Sequence, residues 1–408
     1  MMAIGAGRKA KVDFVKGTPV ALNGDALVAH AMRQVHPDVV ACYPITPQTI
    51  LTETFSEFVA NGEVHTEFIA VESEHAAMSA CVGAAAAGAR TQTATSGPGL
   101  ALMWEMLWVA SGCRLPIVLH LCTRAFSAPL NILGDHHDLM GMRETSWVML
   151  SAETAQEAYD NGIQAVRIAE HPDVLLPVAS AMDGFITTHS VERVELLPDD
   201  AVAEFVGTYK PAYSLLDLER PVSMGPWDFH DYFFEHKRQQ VEAMDRAREV
   251  AIEVAREYGD MSGRYYGPVE PYRMEDAEVA VVIMGSAAGT VRTVVDELRQ
   301  EGVRAGVLRI RLLRPFPSEA VAQALSGVRA AAVLERSITY GAASNGLHME
   351  ISSVLCSRGL SPRLESWSYG LGGRNTTPAQ FRRVYEELLR AEEGARAPLA
   401  VRYVDLRE

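Results

Sequence analysis

Apolar runs of strand length alternate with segments of helical character along most of the chain. The runs lie at residues 38–42, 67–71, 116–122, 174–179, 279–284, 307–313 and 330–334, and a further strand is predicted at 90–94, whose sequence Arg-Thr-Gln-Thr-Ala is mainly polar. Strands that alternate with helices are typical of parallel sheets covered by helices on both faces. The pattern therefore predicts an α/β fold made of two doubly wound, mostly parallel-sheet domains.

The alternation is interrupted between residues 199 and 277. This region contains a stretch rich in proline and aromatic residues, 211–234, followed by a long charged segment of helical character. A chain of 408 residues is also long for a single core. We therefore predict a first domain at 1–198, an irregular and helical connector at 199–277 that wraps other surfaces, and a second domain at 278–408.

The overall composition is that of a soluble globular protein, with 48% hydrophobic and 22% charged residues. The formal net charge of −15 argues against nucleic acid as a partner, because binding to phosphates depends on lysine and arginine. No apolar run approaches the roughly 20 residues that a membrane helix needs, so we expect no membrane insertion. The basic N-terminal segment lacks the apolar core of a secretion signal, which favours a cytoplasmic location.

The five cysteines are scattered among apolar residues, and no two of them have a Cys-x-x-Cys spacing. This pattern is typical of reduced thiols in a cytoplasm. It also argues against an iron–sulfur cluster held by this chain alone, because such a cluster usually requires closely spaced thiolates.

Three sequence blocks stand where predicted strands end and helices begin. They are Cys-Tyr-Pro-Ile-Thr-Pro-Gln-Thr at 42–49, Val-Glu-Ser-Glu-His-Ala-Ala at 71–77 and Thr-Ser-Gly-Pro-Gly-Leu at 95–100. In an open α/β sheet this edge is where ligands bind. The middle block places the carboxylate of Glu74 at the head of a helix rich in alanine and glycine, an apolar setting for an ionisable group. Taken alone, Glu74 is also suited to capping its helix, since carboxylates complement the helix dipole there.

Two further side chains are candidates for binding a small anionic ligand. Arg124 follows the buried strand predicted at 116–122, and an arginine can pair with a carboxylate through two hydrogen bonds. Thr46 lies between Pro44 and Pro47, which stiffen the loop that carries its hydroxyl. The alternatives are a surface arginine in a solvated ion pair and a threonine whose hydroxyl bonds to nearby backbone.

Two glycine-containing segments resemble a metal site and a phosphate-binding loop, but we predict neither. Gly-Asp-His-His-Asp at 134–138 contains possible metal ligands, but it is too compact for all of its side chains to converge on one ion. We predict no metal site there and favour a role in a substrate loop or an interface. Gly-Ser-Ala-Ala-Gly at 285–289 lacks the spaced glycines of a phosphate-binding loop, so we interpret it as a strand-to-helix turn.

Together the three blocks resemble the pyrimidine-binding domain of thiamine-diphosphate enzymes. In that superfamily a glutamate, a helix of small residues, a strand and Thr-Ser-Gly-Pro-Gly follow one another at about this separation. The Tyr-Pro-Ile-Thr-Pro block is similar to that of the 2-oxoacid:ferredoxin oxidoreductases, and within them to the alpha subunit of the split pyruvate form. The resemblance extends over nearly the whole chain, and it implies a second domain similar to the transketolase C-terminal domain.

The resemblance implies a role for each candidate side chain. Glu74 is expected to hydrogen-bond N1′ of the aminopyrimidine and so activate thiamine diphosphate, with Tyr43 and Pro44 shaping the pyrimidine pocket. Arg124 and Thr46 are expected to bind the 2-oxoacid. The implied reaction is the reversible oxidative decarboxylation of pyruvate with coenzyme A to acetyl-CoA and CO₂, with electrons passing to ferredoxin.

Two motifs expected of such an enzyme are missing from the sequence. Thiamine enzymes hold the diphosphate through Mg²⁺ with a Gly-Asp-Gly motif, and the sequence contains neither this motif nor a ferredoxin-type cysteine cluster. The resemblance therefore implies a beta subunit that brings the diphosphate site, Mg²⁺ and a [4Fe–4S] cluster. It also implies gamma and delta subunits or domains. Thiamine diphosphate would be shared between subunits, and the chain would be active only within a hetero-oligomer.

The sequence leaves the identity of the 2-oxoacid open. Thr46 and the apolar Phe126 and Leu130 favour a small neutral 2-oxoacid over 2-oxoglutarate, which requires a second cationic group. Branched-chain 2-oxoacids are the first alternative. A non-catalytic subunit that only scaffolds electron-transfer partners is a rival of another class, and the presence of Glu74, Thr46 and Arg124 argues against it.

Overall fold

A computed structural model describes residues 14–390 and 400–407 of the chain. Its strands are β1 Thr18–Leu22, β2 Val39–Cys42, β3 Glu67–Ala70, β4 Thr91–Thr95, β5 Ile117–Thr123, β6 Val148–Ser151, β7 Val178–Asp183, β8 Glu192–Leu196, β9 Val269–Tyr272, β10 Val279–Ile283, β11 Ala305–Ile310, β12 Leu312–Arg314, β13 Ala330–Glu335, β14 Arg363–Ser368 and β15 Val401–Tyr403. Its helices are α1 Gly24–Val35, α2 Thr49–Ala60, α3 Glu74–Ala86, α4 Gly97–Leu102, α5 Trp104–Gly112, α6 His137–Gly141, α7 Ala155–Ala169, α8 Asp199–Val206, α9 Phe233–Ser262, α10 Ala287–Gln300, α11 Ser318–Leu325, α12 Gly346–Ser357 and α13 Pro378–Arg390.

The first sheet has seven strands in the order β12-β6-β7-β5-β4-β2-β3. Its neighbouring strands are parallel except for β12, which runs antiparallel to β6. The central strand β5 is buried over its whole length. Leu119 and Leu121 pack against α3 and α5 on one face, whereas Val118 packs against α1 and α7 on the other. Because both faces are covered, the strand has a continuous apolar sequence.

The second sheet has six strands in the order β15-β14-β13-β10-β11-β9. Strand β9 is antiparallel to β11, and the other neighbours are parallel. Helices α10 and α13 cover one face, and α11 and α12 belong to the core on the other. Strands β1 and β8 form a separate antiparallel ribbon. The predicted fold class, α/β with two doubly wound and mostly parallel sheets, is confirmed.

Some elements differ from the sequence-based expectation. Residues 96–99, whose Ser-Gly-Pro-Gly sequence predicts a tight turn, consist of the N-cap Ser96 and the first three residues of helix α4. The strand predicted at 174–179 is shifted to β7, because Pro177 has no amide hydrogen to donate to the sheet. The single strand predicted at 307–313 is divided between β11 and β12, which lie in different sheets. The domain boundaries at residues 198 and 277 stay a prediction.

The point where β11 leads into β12 joins the two sheets. Arg309 and Arg311 are buried there. Arg309 lies 2.9 Å from Glu157 of α7 and 2.8 Å from Glu270 of β9. Arg311 donates to the side chain of Asn161 at 3.2 Å. A buried guanidinium needs acceptors for its N–H groups, so these contacts fix the position of the second sheet against the first.

A second contact between the sheets centres on Asp183, the last residue of β7. Its Oδ1 lies 2.7 Å from His136 Nε2, and its Oδ2 accepts from Arg336 Nη1 at 2.9 Å and from the backbone N–H of Ser286 at 3.0 Å. Burial by itself raises the pKa of Asp183, but His136, Arg336 and Ser286 together hold it far below the ordinary value. Gly285 has a φ of +70°, and a Cβ there would lie 2.7 Å from the Asp183 carboxylate. The turn between β10 and α10 therefore binds the carboxylate of Asp183, which belongs to the same chain.

The connector is the least covered part of the chain. Its segment before α9 leaves many large apolar side chains exposed, namely Tyr213, Leu215, Leu216, Leu218, Trp227, Phe229 and Tyr232. Exposed apolar surface of this extent is typical of contact with another chain. Helix α9 has 30 residues, yet no helix in the described ranges is long and apolar enough to cross a membrane.

We expect Asp183→Asn to lower the free energy of unfolding by about 3 kcal/mol, because it leaves Arg336 buried without its charged acceptor. The pKa of Asp183 is lower in the folded chain than in the unfolded chain. Its stabilising contribution is therefore complete above about pH 4 and is lost as the pH falls. The stability of the unmodified chain should fall more steeply with acidification than that of Asp183→Asn. Urea unfolding across this pH range measures both effects.

Glu242→Gln is the matched control for this experiment. Glu242 pairs with Arg238 and Arg246 on the exposed side of α9. Surface ion pairs contribute little to stability, so the control should unfold like the unmodified chain. An Asp183→Asn variant as stable as this control at neutral pH would contradict the prediction.

Candidate active site

The three sequence blocks meet at one edge of the first sheet. They follow β2, β3 and β4 and lead into α2, α3 and α4. Arg124 follows β5, which is the neighbour of β4. The carboxyl ends of parallel strands lie at the same edge of a sheet. The structure therefore gathers Thr46, Glu74 and Arg124 there from separate parts of the chain.

Glu74 is the first residue of α3, and only 3% of its surface is exposed. The helix is capped by Ser73, whose hydroxyl accepts the backbone N–H of Ala76 at 3.2 Å. Within the described residues, the Glu74 carboxylate makes no hydrogen bond or ion pair. Burying a carboxylate without a partner costs free energy. The geometry therefore favours a ligand-binding role for Glu74 over a capping role.

Helix α4 begins directly against Glu74. A Cβ on Gly99 would lie 2.6 Å from Glu74 Oε1 and 2.4 Å from Thr95 Oγ1, so only glycine allows this approach. The hydroxyls of Thr95 and the adjacent Ser96 are buried and have no hydrogen-bond partner in the described part of the chain. Buried polar groups are normally paired. The unpaired polar groups of Glu74, Thr95 and Ser96 around Gly99 therefore indicate a ligand-binding site.

Arg124 lies at the end of β5 and is largely buried. Its Nη1 donates to the backbone oxygen of Thr46 at 2.9 Å, and its Nε donates to that of Asn131 at 3.4 Å. Its Nη2 makes no hydrogen bond to any residue within the described ranges. Burial lowers the pKa of Arg124, and the carboxylates of Asp138 and Glu74 oppose that shift. The side chain thus remains a cation with N–H groups free for an anion.

The loop from β2 to α2 carries Tyr43, Pro44 and Thr46, all of them exposed at the sheet edge. Gln48, which the sequence motif does not single out, anchors this loop. It is fully buried, its Nε2 donates to the backbone oxygen of Ala94 at 2.9 Å, and its Oε1 accepts a backbone N–H of the loop at 3.3 Å. The sequence indicates this anchoring role of Gln48 only by placing an amide side chain directly after Pro47.

The loop after β5 adds another residue that the sequence does not identify. Asp138 is fully buried, and its Oδ2 accepts the backbone N–H groups of Gly97 and Arg124, each at 2.9 Å. Burial raises the pKa of Asp138 to about 7, and these two N–H groups limit the rise. Elsewhere in the loop, Asp135 accepts the backbone N–H of Gly372 at 3.3 Å. The loop therefore contacts both the candidate site and the second sheet.

The described ranges, 14–390 and 400–407, contain no group of three or more His, Cys, Asp or Glu side chains arranged to hold a metal ion. The cysteines Cys42, Cys81, Cys113, Cys122 and Cys356 are free thiols. Burial raises the pKa of Cys81 to about 12, so this thiol stays protonated at neutral pH.

Comparison with known families gives two matches. The family described as "Pyruvate flavodoxin/ferredoxin oxidoreductase, thiamine diP-bdg" matches residues 30–256, which include the three sequence blocks and Arg124. The family described as "Pyruvate:ferredoxin oxidoreductase core domain II" matches residues 277–381, which include most of the second sheet.

Similar proteins are named as subunits of larger enzymes. Pyruvate synthase subunit PorA of Thermotoga maritima is 52% identical over 95% of this chain and 98% of its own length. The PorA of Methanocaldococcus jannaschii is 45% identical over 91% of this chain and 95% of its own length. Ketoisovalerate oxidoreductase subunit VorA of Pyrococcus abyssi is 37% identical over 95% of this chain and 97% of its own length. The chain is thus similar over nearly its full length to subunits of multi-subunit oxidoreductases.

Among solved structures, a 2-oxoglutarate:ferredoxin oxidoreductase from Magnetococcus marinus matches 91% of this chain with a TM-score of 0.71 and 18% identity. This chain spans 65% of that chain. At this identity the likeness supports the fold alone. The family assignment depends instead on the family matches and on the closely similar sequences. The chain therefore belongs to the pyruvate flavodoxin/ferredoxin oxidoreductase family, as its three sequence blocks predict.

Proposed function

We propose that this chain is the alpha subunit of a thiamine-diphosphate-dependent pyruvate:ferredoxin oxidoreductase. The reaction is the reversible oxidative decarboxylation of pyruvate with coenzyme A to acetyl-CoA and CO₂. The observation that carries the proposal is the buried, unpartnered carboxylate of Glu74 beneath the backbone of Gly99. Relatives named pyruvate synthase subunit PorA, at 52% and 45% identity, support the same reaction.

The residues around Glu74 fit the aminopyrimidine end of thiamine diphosphate. The N1′ end of such a ring is recognised by a carboxyl group, and Glu74 is 3% exposed with no partner among the described residues. Tyr43 and Pro44 lie exposed at the same sheet edge, where they would line the ring. When bound, thiamine diphosphate supplies the nucleophilic carbon and the electron sink of the reaction. The role of Glu74 is to hold a proton at N1′ of the aminopyrimidine.

Arg124 and Thr46 are proposed to bind the 2-oxoacid. The free N–H groups of Arg124 Nη2 are suited to the substrate carboxylate, and the Thr46 hydroxyl is suited to donating to an oxygen of the substrate. The hydrogen bond from Arg124 Nη1 to the backbone oxygen of Thr46 holds the two residues together at 2.9 Å. They would therefore act as one binding unit.

A small neutral 2-oxoacid suits this site. Phe126 and Leu130 follow Arg124 on the same loop and expose 38% and 76% of their surface. Branched-chain 2-oxoacids are the second candidate, because a relative at 37% identity is named ketoisovalerate oxidoreductase subunit VorA. Turnover of a 2-oxoacid panel by the assembled complex, with a viologen as acceptor, decides between them. A preference for 2-oxoglutarate would overturn the substrate assignment.

We also propose that partner subunits complete the enzyme in the cytoplasm. A beta subunit would bring the diphosphate site, Mg²⁺ and a [4Fe–4S] cluster, and gamma and delta subunits or domains would lead electrons to ferredoxin. The absence of a Gly-Asp-Gly motif and of a cysteine cluster from the sequence supports this division. So do the exposed apolar side chains of Leu102, Trp104 and Trp108, which follow Gly97 on α4 and α5. The free cysteines support the location.

Glu74→Ala should lower pyruvate-dependent viologen reduction by the reconstituted complex about 10²- to 10⁴-fold, because the cofactor loses its proton-holding partner. Subunit assembly, measured by gel filtration, should be intact. Glu72→Ala is the matched control, since Glu72 is exposed and lies two residues before Glu74. Normal turnover by Glu74→Ala would refute the proposed role.

Gly99→Ala should reduce kcat/KM about 100-fold without preventing assembly, because the new methyl group displaces the Glu74 carboxylate. The helical backbone at residue 99 accepts alanine, so the effect reports crowding rather than backbone strain. Gly327→Ala is the control, because a Cβ there meets nothing within 4 Å. Equal kcat/KM values for Gly99→Ala and the unmodified complex would count against Glu74 as the cofactor-binding carboxylate.

Arg124→Lys should raise KM for pyruvate at least about tenfold, because the single ammonium nitrogen of lysine does not reproduce the guanidinium fork, in which Nη1 bonds the Thr46 oxygen while Nη2 is directed to the substrate carboxylate. Affinity for thiamine diphosphate, measured by titration calorimetry, should change much less. Arg238→Lys on the exposed side of α9 serves as the control. A KM that stays unchanged in Arg124→Lys would exclude Arg124 from substrate binding.

A further inference from the structure

The two halves of the candidate site lie on separate elements. Glu74 is covered by the first turn of α4, which begins at Gly97, whereas Arg124 stands at the end of β5. The relative position of these elements determines the distance between the proposed cofactor-binding carboxylate and the proposed substrate-binding guanidinium.

A single carboxylate oxygen connects the two elements. Asp138 Oδ2 accepts the backbone N–H of Gly97 at 2.9 Å and the backbone N–H of Arg124 at 2.9 Å. Its other oxygen, Oδ1, accepts the backbone N–H of Leu139 at 2.7 Å. Asp138 is 0% exposed and has no ion pair among the described residues. Hydrogen bonds from backbone amides are thus its main compensation for burial.

We propose that Asp138 is a positioning residue that holds the Gly97 turn and the Arg124 strand end at a fixed separation, and so couples cofactor binding to 2-oxoacid binding. This inference builds on the proposed roles of Glu74 and Arg124. A helix-capping role does not account for the geometry, because only the Leu139 bond lies within α6. The two bonds of Oδ2 reach residues 41 and 14 positions away in the sequence.

The protonation of Asp138 provides a signature of this role. Burial raises the pKa of Asp138 to about 7, and the titratable groups that face it are Asp135 in its own loop and Cys122 and Arg124 on or next to β5. Helix α4 carries no titratable side chain. A protonated carboxyl is a weaker acceptor than a carboxylate, so the bonds to both N–H groups weaken as the pH falls through this value.

The test compares Asp138→Asn with Asp25→Asn in the assembled complex. Asp25 is an equally buried carboxylate that bonds Cys122 but neither Gly97 nor Arg124. In Asp138→Asn we expect Kd for thiamine diphosphate and KM for pyruvate to rise together, each about tenfold. We also expect the acid limb of the kcat/KM profile near pH 7 to disappear. Asp25→Asn should keep both constants and the limb.

Loss of thermal stability in Asp138→Asn with Kd, KM and the pH profile unchanged would overturn the proposal, and so would a change in only one of the two constants. If the variant does not assemble, hydrogen exchange of the isolated chain decides. Amides in peptides that contain Gly97 and Arg124 should exchange faster in Asp138→Asn than in Asp25→Asn, and equal exchange would refute the connection. Failure of the proposed function is a separate result: the unmodified complex would then bind no thiamine diphosphate.

Discussion

A buried carboxylate at the end of β7 fixes the arrangement on which the candidate site depends. Asp183 accepts hydrogen bonds from His136 in the loop after β5 and from Arg336 and Ser286 in the second half of the chain. Two residues after His136, the same loop carries Asp138, which bonds the backbone of the site. The second sheet supplies none of the proposed catalytic side chains, yet it contacts the loop that carries Asp138.

The site follows from local sequence only where a residue belongs to a block at a strand end. Glu74, Thr46 and Arg124 are predicted as candidates from sequence because each follows a short strand-like run and precedes a turn or helix. Gln48 and Asp138 are not, because their importance depends on contacts with backbone groups far away in the sequence. Asp138 in particular stands in a run of acidic and histidine residues that looks like a metal-binding loop.

The fold, like the site, is predicted where it depends on local sequence and not where it depends on contacts between residues far apart in the chain. The alternation of strands and helices predicts two parallel sheets, because most of their buried strands have an apolar sequence. Strand β4 is buried but mainly polar, and β14, also mainly polar, is not among the predicted strands. The alternation does not predict that residues 305–314 serve both sheets. Arg309 and Arg311 interrupt that run, and only the acceptors on α7 and β9 explain why two arginines are buried there. Ion pairs between residues far apart in the sequence produce no periodic sequence pattern from which they could be predicted.

The antiparallel strand β12 has a consequence for how the protein matures. Strand β6 ends at Ser151, but its outer neighbour begins only at Leu312. During synthesis, the main-chain N–H and C=O groups on that side of β6 have no strand to pair with until β12 has been synthesised. Open strand edges readily pair with other chains. The first sheet is therefore complete only when a strand from the second half of the chain has been added. A fragment that stops before β12 would expose an unpaired strand edge that can aggregate.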